Sequence, residues 1–240
     1  MNIIKFIKMS MFDQFRHKTI LIKILKEIYS DPSLRNTLGF KGGTAALLFY
    51  DLPRMSVDLD FNLLDTEQES IVFEKVKKIA SSFGNLIDAT EKRYTLFFLL
   101  SYEKAERKIK IEISKRPLKS NFEVKNYLGI PVLVMKKEDM VAGKLSAFLT
   151  RKKFASRDLF DLWFFLKNDW DINEDFLKAN TGFGLKKSLQ TAVKKLNEVK
   201  PNQLLQGLGE LLDEKQKSWV KNKLKKELLF YLKLKLKEIK

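Results

Sequence analysis

The stretch "KGGTAALLFYDLPRMSVDLDF", Lys41 to Phe61, decides the fold. It holds two glycines and a threonine, a short apolar run, and then Asp58 and Asp60, one residue apart. Aspartate is a poor strand former. Yet "SVDLDFNLL" alternates, with Val57, Leu59 and Phe61 on one face and Ser56, Asp58 and Asp60 on the other. The spacing predicts a half-buried strand whose open face carries two carboxylates about 7 Å apart along the chain. "TAALLFY" before it is compatible with a helix that ends at Leu52-Pro53. "TLGFKG" reads as a strand running into Gly42-Gly43.

Outward from this centre, residues 18 to 30 repeat apolar positions at helical spacing and stop at Asp31-Pro32. Residues 67 to 83 read as a helix, followed by a turn at Gly84-Asn85. "RYTLFFLLSY" and the alternating "KIKIEIS" form a hairpin across "EKAER", and "IPVLVM" is a further short strand. After Lys136 the character changes. "KEDMVAGKLSAFLTR" and "SRDLFDLWFFLKND" read as two helices joined near Lys152 to Ser156. A lysine-rich helical remainder follows, with breaks near Thr181–Gly184 and Lys200–Pro201. The chain divides into an α/β core with an N-terminal helix, residues 1–135, and a helical region, residues 136–240.

Composition narrows the chemistry. The 240 residues suffice to bury a core, and no cysteine is present, which excludes disulfides, thiolate metal sites and a cysteine nucleophile. His17 is the single histidine; it stands in no motif and reads as a surface or helix-face residue. No apolar run approaches the roughly 20 residues of a membrane span. The N-terminus has no signal-peptide pattern, so a cytoplasmic location with no membrane partner is expected. Net charge is +16, and the last 60 residues contribute +9 of it, from 15 Lys against 6 acidic residues. Such an excess favours a polyanionic partner.

Paired carboxylates on a strand suit magnesium, which takes hard oxygen ligands and keeps several waters. Glu112 lies on the polar face of another strand and becomes a third acidic ligand if that strand neighbours the first. Gly42 and Gly43 leave room for a triphosphate, a helix starting there points free amides at an anion, and the Thr44 hydroxyl can donate or coordinate. A plain turn and a solvated edge strand are the bland readings of the same residues; their order and combination favour a site. Lys144 lies among small and apolar residues, where a lysine either serves a ligand or snorkels from a half-buried helix. Asp158 and Asp161 fall one turn apart in an apolar helix. They act either as structural ion-pair partners of Arg157 or Lys144, or, for Asp158, as a general base. The aromatic residues around them read as core.

"KGGTAAL", "RMSVDLDF", "KIEIS", "GKLSAFLTR" and "SRDLFDLWFFL" resemble the AbiEii/AbiGii-type nucleotidyltransferase toxins, a branch of the DNA-polymerase-β-like nucleotidyltransferases. The resemblance spans roughly residues 35 to 170. It implies an α+β fold, a polymerase-β-like mixed sheet with flanking helices, followed by a helical C-terminal region. It implies nucleotide binding by Lys41, Gly42, Gly43, Thr44, Arg54, Ser56 and Lys144. Asp58 and Asp60 then bind Mg²⁺ or Mn²⁺, with Glu112 as a variable third ligand. The catalytic set it implies is Asp58, Asp60, Lys144 and Asp158. The implied activity is nucleotide transfer from an NTP to RNA, with the tRNA 3′ end favoured, by the toxin of a type IV toxin–antitoxin or abortive-infection system with a cognate antitoxin. Transfer to a protein hydroxyl, and RNA binding without catalysis on a degenerate fold, are the rival readings.

Overall fold

The computed structural model describes residues 3–102, 108–117 and 120–239. The chain divides into two compact units, Met1–Pro117 with Phe122–Val134, and Leu118–Asn121 with Met135–Lys240.

In the first unit, helix α1 spans Ile3–Ser30. Its positions Leu21, Ile24, Leu25 and Ile28 are fully buried, the i, i+3, i+4, i+7 stripe of a helix lying on a core. Asp31 ends it: its Oδ1 accepts from the backbone amide of Ser33 at 2.8 Å and the Ser33 hydroxyl at 2.6 Å, and Pro32 cannot continue the ladder. Strand β1, Leu38–Lys41, leads into helix α2, Gly42–Tyr50. That helix stops one residue before the expected Leu52-Pro53, at Asp51 in a left-handed conformation with φ of 57°.

Strand β2 is Asp58–Leu63, helix α3 Glu69–Ser82, and strands β3 to β7 are Asn85–Lys92, Thr95–Ser101, Lys108–Ser114, Phe122–Tyr127 and Ile130–Met135. They form one seven-stranded sheet in the order β3-β4-β5-β2-β1-β7-β6. It is mixed: β2 runs antiparallel to β1 and parallel to β5, while β1 and β7 are parallel. The expected β4–β5 hairpin pairs Thr95 with Ser114 through Ser101 with Lys108, and its link "EKAER" lies outside the described residues. Two strands were not expected. Where the sequence suggested a turn at Gly84-Asn85, β3 begins, and β6 was not foreseen at all. Both are the terminal strands of the sheet.

The second unit is helical. It holds α4 (Lys137–Thr150), α5 (Ser156–Lys167), α6 (Glu174–Thr181), α7 (Leu185–Glu198), α8 (Glu214–Trp219) and α9 (Lys225–Glu238), the last two joined through a π-helical turn at Val220–Leu224. Leu145, Leu159, Leu162, Leu189, Leu196, Leu228 and Leu232 are fully buried between these helices. The aromatic residues of α5 belong to that core. Trp163 and Trp219 lie 4.2 Å apart by ring centroid, and both indole N–H groups donate to the Glu227 carboxylate, at 2.9 and 3.3 Å. A buried indole needs such an acceptor.

Candidate active site

Three sheet strands, β1, β2 and β5, bring the charged residues of the first unit together. Register places Lys41 of β1 opposite Asp60 of β2, and on the other side Asp58 opposite Lys110 and Asp60 opposite Glu112 of β5. The condition set for Glu112, that its strand adjoin that of the aspartates, is met. Leu59 and Phe61 are fully buried below, so Asp58 and Asp60 share the opposite face. The Lys110 ammonium lies among them, 3.3 Å from Asp58 Oδ2 and 3.1 Å from Glu112 Oε2.

The charges perturb one another strongly. Burial pushes the Asp60 carboxyl above the ordinary aspartate range, and Asp58 and Glu112 add to the rise, while Lys41 and Lys110 oppose it. Burial pushes the Lys41 ammonium down, against the pull of Asp60. Burial also works against the charge of Lys110, but Asp58, Glu112 and Asp60 outweigh it and hold its ammonium above the usual lysine range. Lys41 further donates to the Asn62 side chain.

The glycines sit against this group. Gly42 has φ of +82°, a conformation that other residues adopt only under strain, and a Cβ there would lie 2.5 Å from Asp60 Oδ2. A Cβ on Gly43 would lie 2.7 Å from Arg54 Nη2 and 2.9 Å from Ser56 Oγ. The need for glycine is thus explained inside the protein, by the close approach of a carboxylate and a guanidinium to the start of α2. Thr44 is buried, donates to the backbone carbonyl of Asp58, and its Oγ1 is 3.0 Å from Ser56 Oγ. Its hydroxyl is turned to the protein. It fixes the start of β2, the strand that carries the aspartates. Arg54 is buried and donates to the Met55 carbonyl at 2.9 Å.

His17 takes the helix-face place, of the two that the sequence left open, and not the surface one. It lies on α1 but is only 2% exposed, so it is no surface residue. Its Nε2 is 3.0 Å from the Val57 carbonyl and its Nδ1 is 2.9 Å from the Tyr102 hydroxyl. A carbonyl only accepts, so Nε2 carries a proton, and Nδ1 shares a hydrogen bond with the Tyr102 hydroxyl. The imidazole thereby anchors the residue just before Asp58. Its burial gave no sequence signal, because residues on both sides of it are polar or charged.

Lys144, Asp158 and Asp161 belong to the second unit. Lys144 Nζ is 3.1 Å from Asp158 Oδ1 and 2.7 Å from Asp161 Oδ2, and Arg151 Nη1 is 2.8 Å from Asp158 Oδ2. The ion-pair alternative raised for Lys144 and the two aspartates is the observed arrangement. Both carboxylates are buried, where an unpaired charge would be very costly. Asp158 and Arg151 also line a small pocket of about 80 Å³ with Phe148, Lys152, Phe154 and Lys195. Sequence reasoning missed Arg151 and Asp139. Asp139 is fully buried and accepts from the Asn173 side chain at 2.6 Å and from the Asn121 amide.

Among the described residues, no three His, Asp or Glu side chains are arranged to hold a metal ion unaided. The donor chemistry nonetheless fits one. Asp58 and Asp60 give two hard carboxylates on one face, a cation already bridges Asp58 to Glu112, and magnesium needs only one or two carboxylates when phosphates complete its shell.

Comparison with solved structures finds the same fold in other proteins. Over 95% of this chain and 93% of that one, the fold matches the crystal structure of JHP933 from Helicobacter pylori, with a TM-score of 0.60 at 22% identity. Over 78% of this chain and 89% of the other it matches an antigenic nucleotidyltransferase-like protein from Paracoccidioides brasiliensis, with a TM-score of 0.50 at 15% identity. At these identities the likeness is one of fold. No curated protein matches the chain. The family profile "Nucleotidyl transferase AbiEii toxin, Type IV TA system" matches residues 23–221, which include the paired aspartates, the glycine turn, Lys144 and Asp158. The chain is therefore a nucleotidyltransferase and belongs to the AbiEii toxin family of type IV toxin–antitoxin systems.

Proposed function

We propose that this enzyme transfers a nucleotide from an NTP to an RNA hydroxyl, with the 3′ end of tRNA as the favoured acceptor, in a reaction that depends on Mg²⁺ or Mn²⁺. Membership of the family implies an NTP substrate and an antitoxin counterpart. The observation that carries the reading is the convergence of Asp58, Asp60 and Glu112 on one face of β2 and β5, beside Gly42 at the start of α2. Asp58 and Asp60 are the residues that would hold the divalent ion, with Glu112 in support. Bound there, the ion supplies Lewis-acid neutralisation of charge on the transferring phosphoryl group.

The protein's own residues do the rest by placement. Gly42 and Gly43 open α2, whose first amides offer donors to phosphate oxygens. Arg54 and Lys41, half or fully buried, bring positive charge to the same turn. Thr44 and Ser56 act through the backbone: their hydroxyls link α2 to the start of β2 and fix the direction of Asp58. In the second unit, Lys144 binds phosphate and Asp158 takes the proton from the attacking hydroxyl in the reading we favour. Lys144 Nζ lies 3.1 Å from Asp158 Oδ1, so the two act side by side.

RNA is favoured over protein as acceptor by the net charge of +16 and by exposed lysines on the last helices, which suit a phosphate backbone. No helix among the described residues is long and apolar enough to cross a membrane, and a cytoplasmic site of action agrees with the proposed substrates. Incubation with each labelled NTP, total RNA and lysate protein tests the acceptor. Label in the tRNA fraction is the expected result; label in the protein fraction alone would replace RNA transfer with protein nucleotidylation, and RNA binding with no pyrophosphate release would replace catalysis with binding.

A further inference from the structure

One cation of the acidic group has no part in the transfer just described. Lys110 is the register partner of Asp58 and stands two residues before Glu112, on the same face of β5. Its ammonium touches an oxygen of each, Asp58 Oδ2 at 3.3 Å and Glu112 Oε2 at 3.1 Å. Asp58 is one of the two carboxylates that would hold a divalent ion, and Glu112 would support it. A lysine ammonium offers donors only and cannot join a metal's shell. An ammonium and a metal ion at one bridge repel. The Lys110 side chain keeps 27% of its exposure, and its long stem gives it a way out.

We infer that Lys110 is a built-in counter-ion for the metal-binding carboxylates: it bridges Asp58 and Glu112 in the free enzyme and yields that bridge when a divalent ion binds. The inference rests on the reading of Asp58 and Asp60 as metal ligands. It has a consequence of two signs. Against a bare cation, Lys110 competes and weakens binding. Against a cation that arrives with a triphosphate, the displaced ammonium gains an anionic partner, so Lys110 helps. The enzyme thereby takes up its metal together with nucleotide and resists loading by metal alone.

The test uses the full chain, with Mn²⁺ as the probe, followed by electron paramagnetic resonance and calorimetry. Lys110→Met should bind Mn²⁺ alone roughly tenfold more tightly than the unaltered enzyme, by removal of one close positive charge. The same variant should bind Mn²⁺ with a non-hydrolysable NTP more weakly. Lys110→Arg keeps the charge and should stay within about threefold of the unaltered enzyme in both assays. Should Lys110→Met fail to fold, Lys110→Gln carries the same expectations, with circular dichroism as the check. Unchanged or weaker Mn²⁺ binding in the charge-removing variant overturns the inference. Asp58→Asn in the same series separates the two readings. If it loses Mn²⁺ while Lys110→Met gains nothing, only the role of Lys110 falls; if it binds Mn²⁺ as before, the metal reading falls and takes this inference with it.

Discussion

At the scale of single residues, the site is a problem of charge. Three carboxylates, from Asp58, Asp60 and Glu112, share a patch with the ammonium groups of Lys41 and Lys110. Asp58→Asn or Asp60→Asn changes one charge with little change in shape, so transfer should be lost while circular dichroism stays unaltered. Gly42→Ala should harm both activity and stability. Its Cβ would meet Asp60 Oδ2, and the left-handed backbone alone costs about 1–3 kcal/mol for a residue with a side chain. A lowered melting temperature together with lost transfer is the expected pair of readings. The aspartates were legible in the sequence because two charges inside an alternating apolar strand break its pattern. Lys110 was legible only as part of a polar face, since a lysine on an exposed strand face is ordinary until its neighbours are known. The burial of Thr44, Arg54 and His17 gave no sequence signal at all: each is polar, and each is buried because of a partner distant in the chain or a backbone carbonyl.

At the scale of elements, ends and seams can be tested singly. Asp31 closes α1 and holds Lys75 of α3 at 2.8 Å. Burial works to raise the Asp31 carboxyl, yet the bonds from Lys75 and Ser33 outweigh it and lower it to about 2. A depressed carboxyl stabilises the fold above its unfolded pKa, near 3.8, and that contribution disappears as pH falls through about 2. Asp31→Asn should therefore lower stability by on the order of 1 kcal/mol at pH 7, discounted for the exposure of Lys75, and by clearly less near pH 2. Denaturant melts at both pH values check the sign. Lys144→Met would remove the ammonium that pairs with the fully buried Asp161 and with Asp158. A loss of about 3 kcal/mol or more is expected, because breaking a buried pair is strongly destabilising. Elements were legible where one face is buried and the other wet, as in β2, β5 and α1. Strands β3 and β6 were missed for a physical reason. They end the sheet, and the β3 run "NLIDATEK" buries no residue fully, so no alternation marks it.

At the scale of the whole molecule, charge dominates. The lysines of the last helices divide into two kinds. Lys225 donates to the carbonyls of Asn197 and Val199 at 2.9 and 2.7 Å and so closes the end of α7. Lys221, Lys223 and Lys226 are exposed and available to a partner. Replacing these three by Gln should weaken RNA binding across sequences and lower the salt slope by roughly two to three, without loss of fold. Lys225→Gln should instead lower stability and leave the slope nearly unchanged. Filter binding over a salt series measures both. That a helical region follows the sheet was legible from the change in pattern after Lys136. The role of that helical part was not, because a charge excess names a class of partner and no more.

The most direct test is pyrophosphate release by the purified full chain with NTP and tRNA, with Mg²⁺ and with chelator, for the unaltered enzyme and for the double variant Asp58→Asn/Asp60→Asn. Release that needs both the divalent ion and the two aspartates is the predicted result. Equal release from the double variant, or release undiminished by chelator, would contradict it.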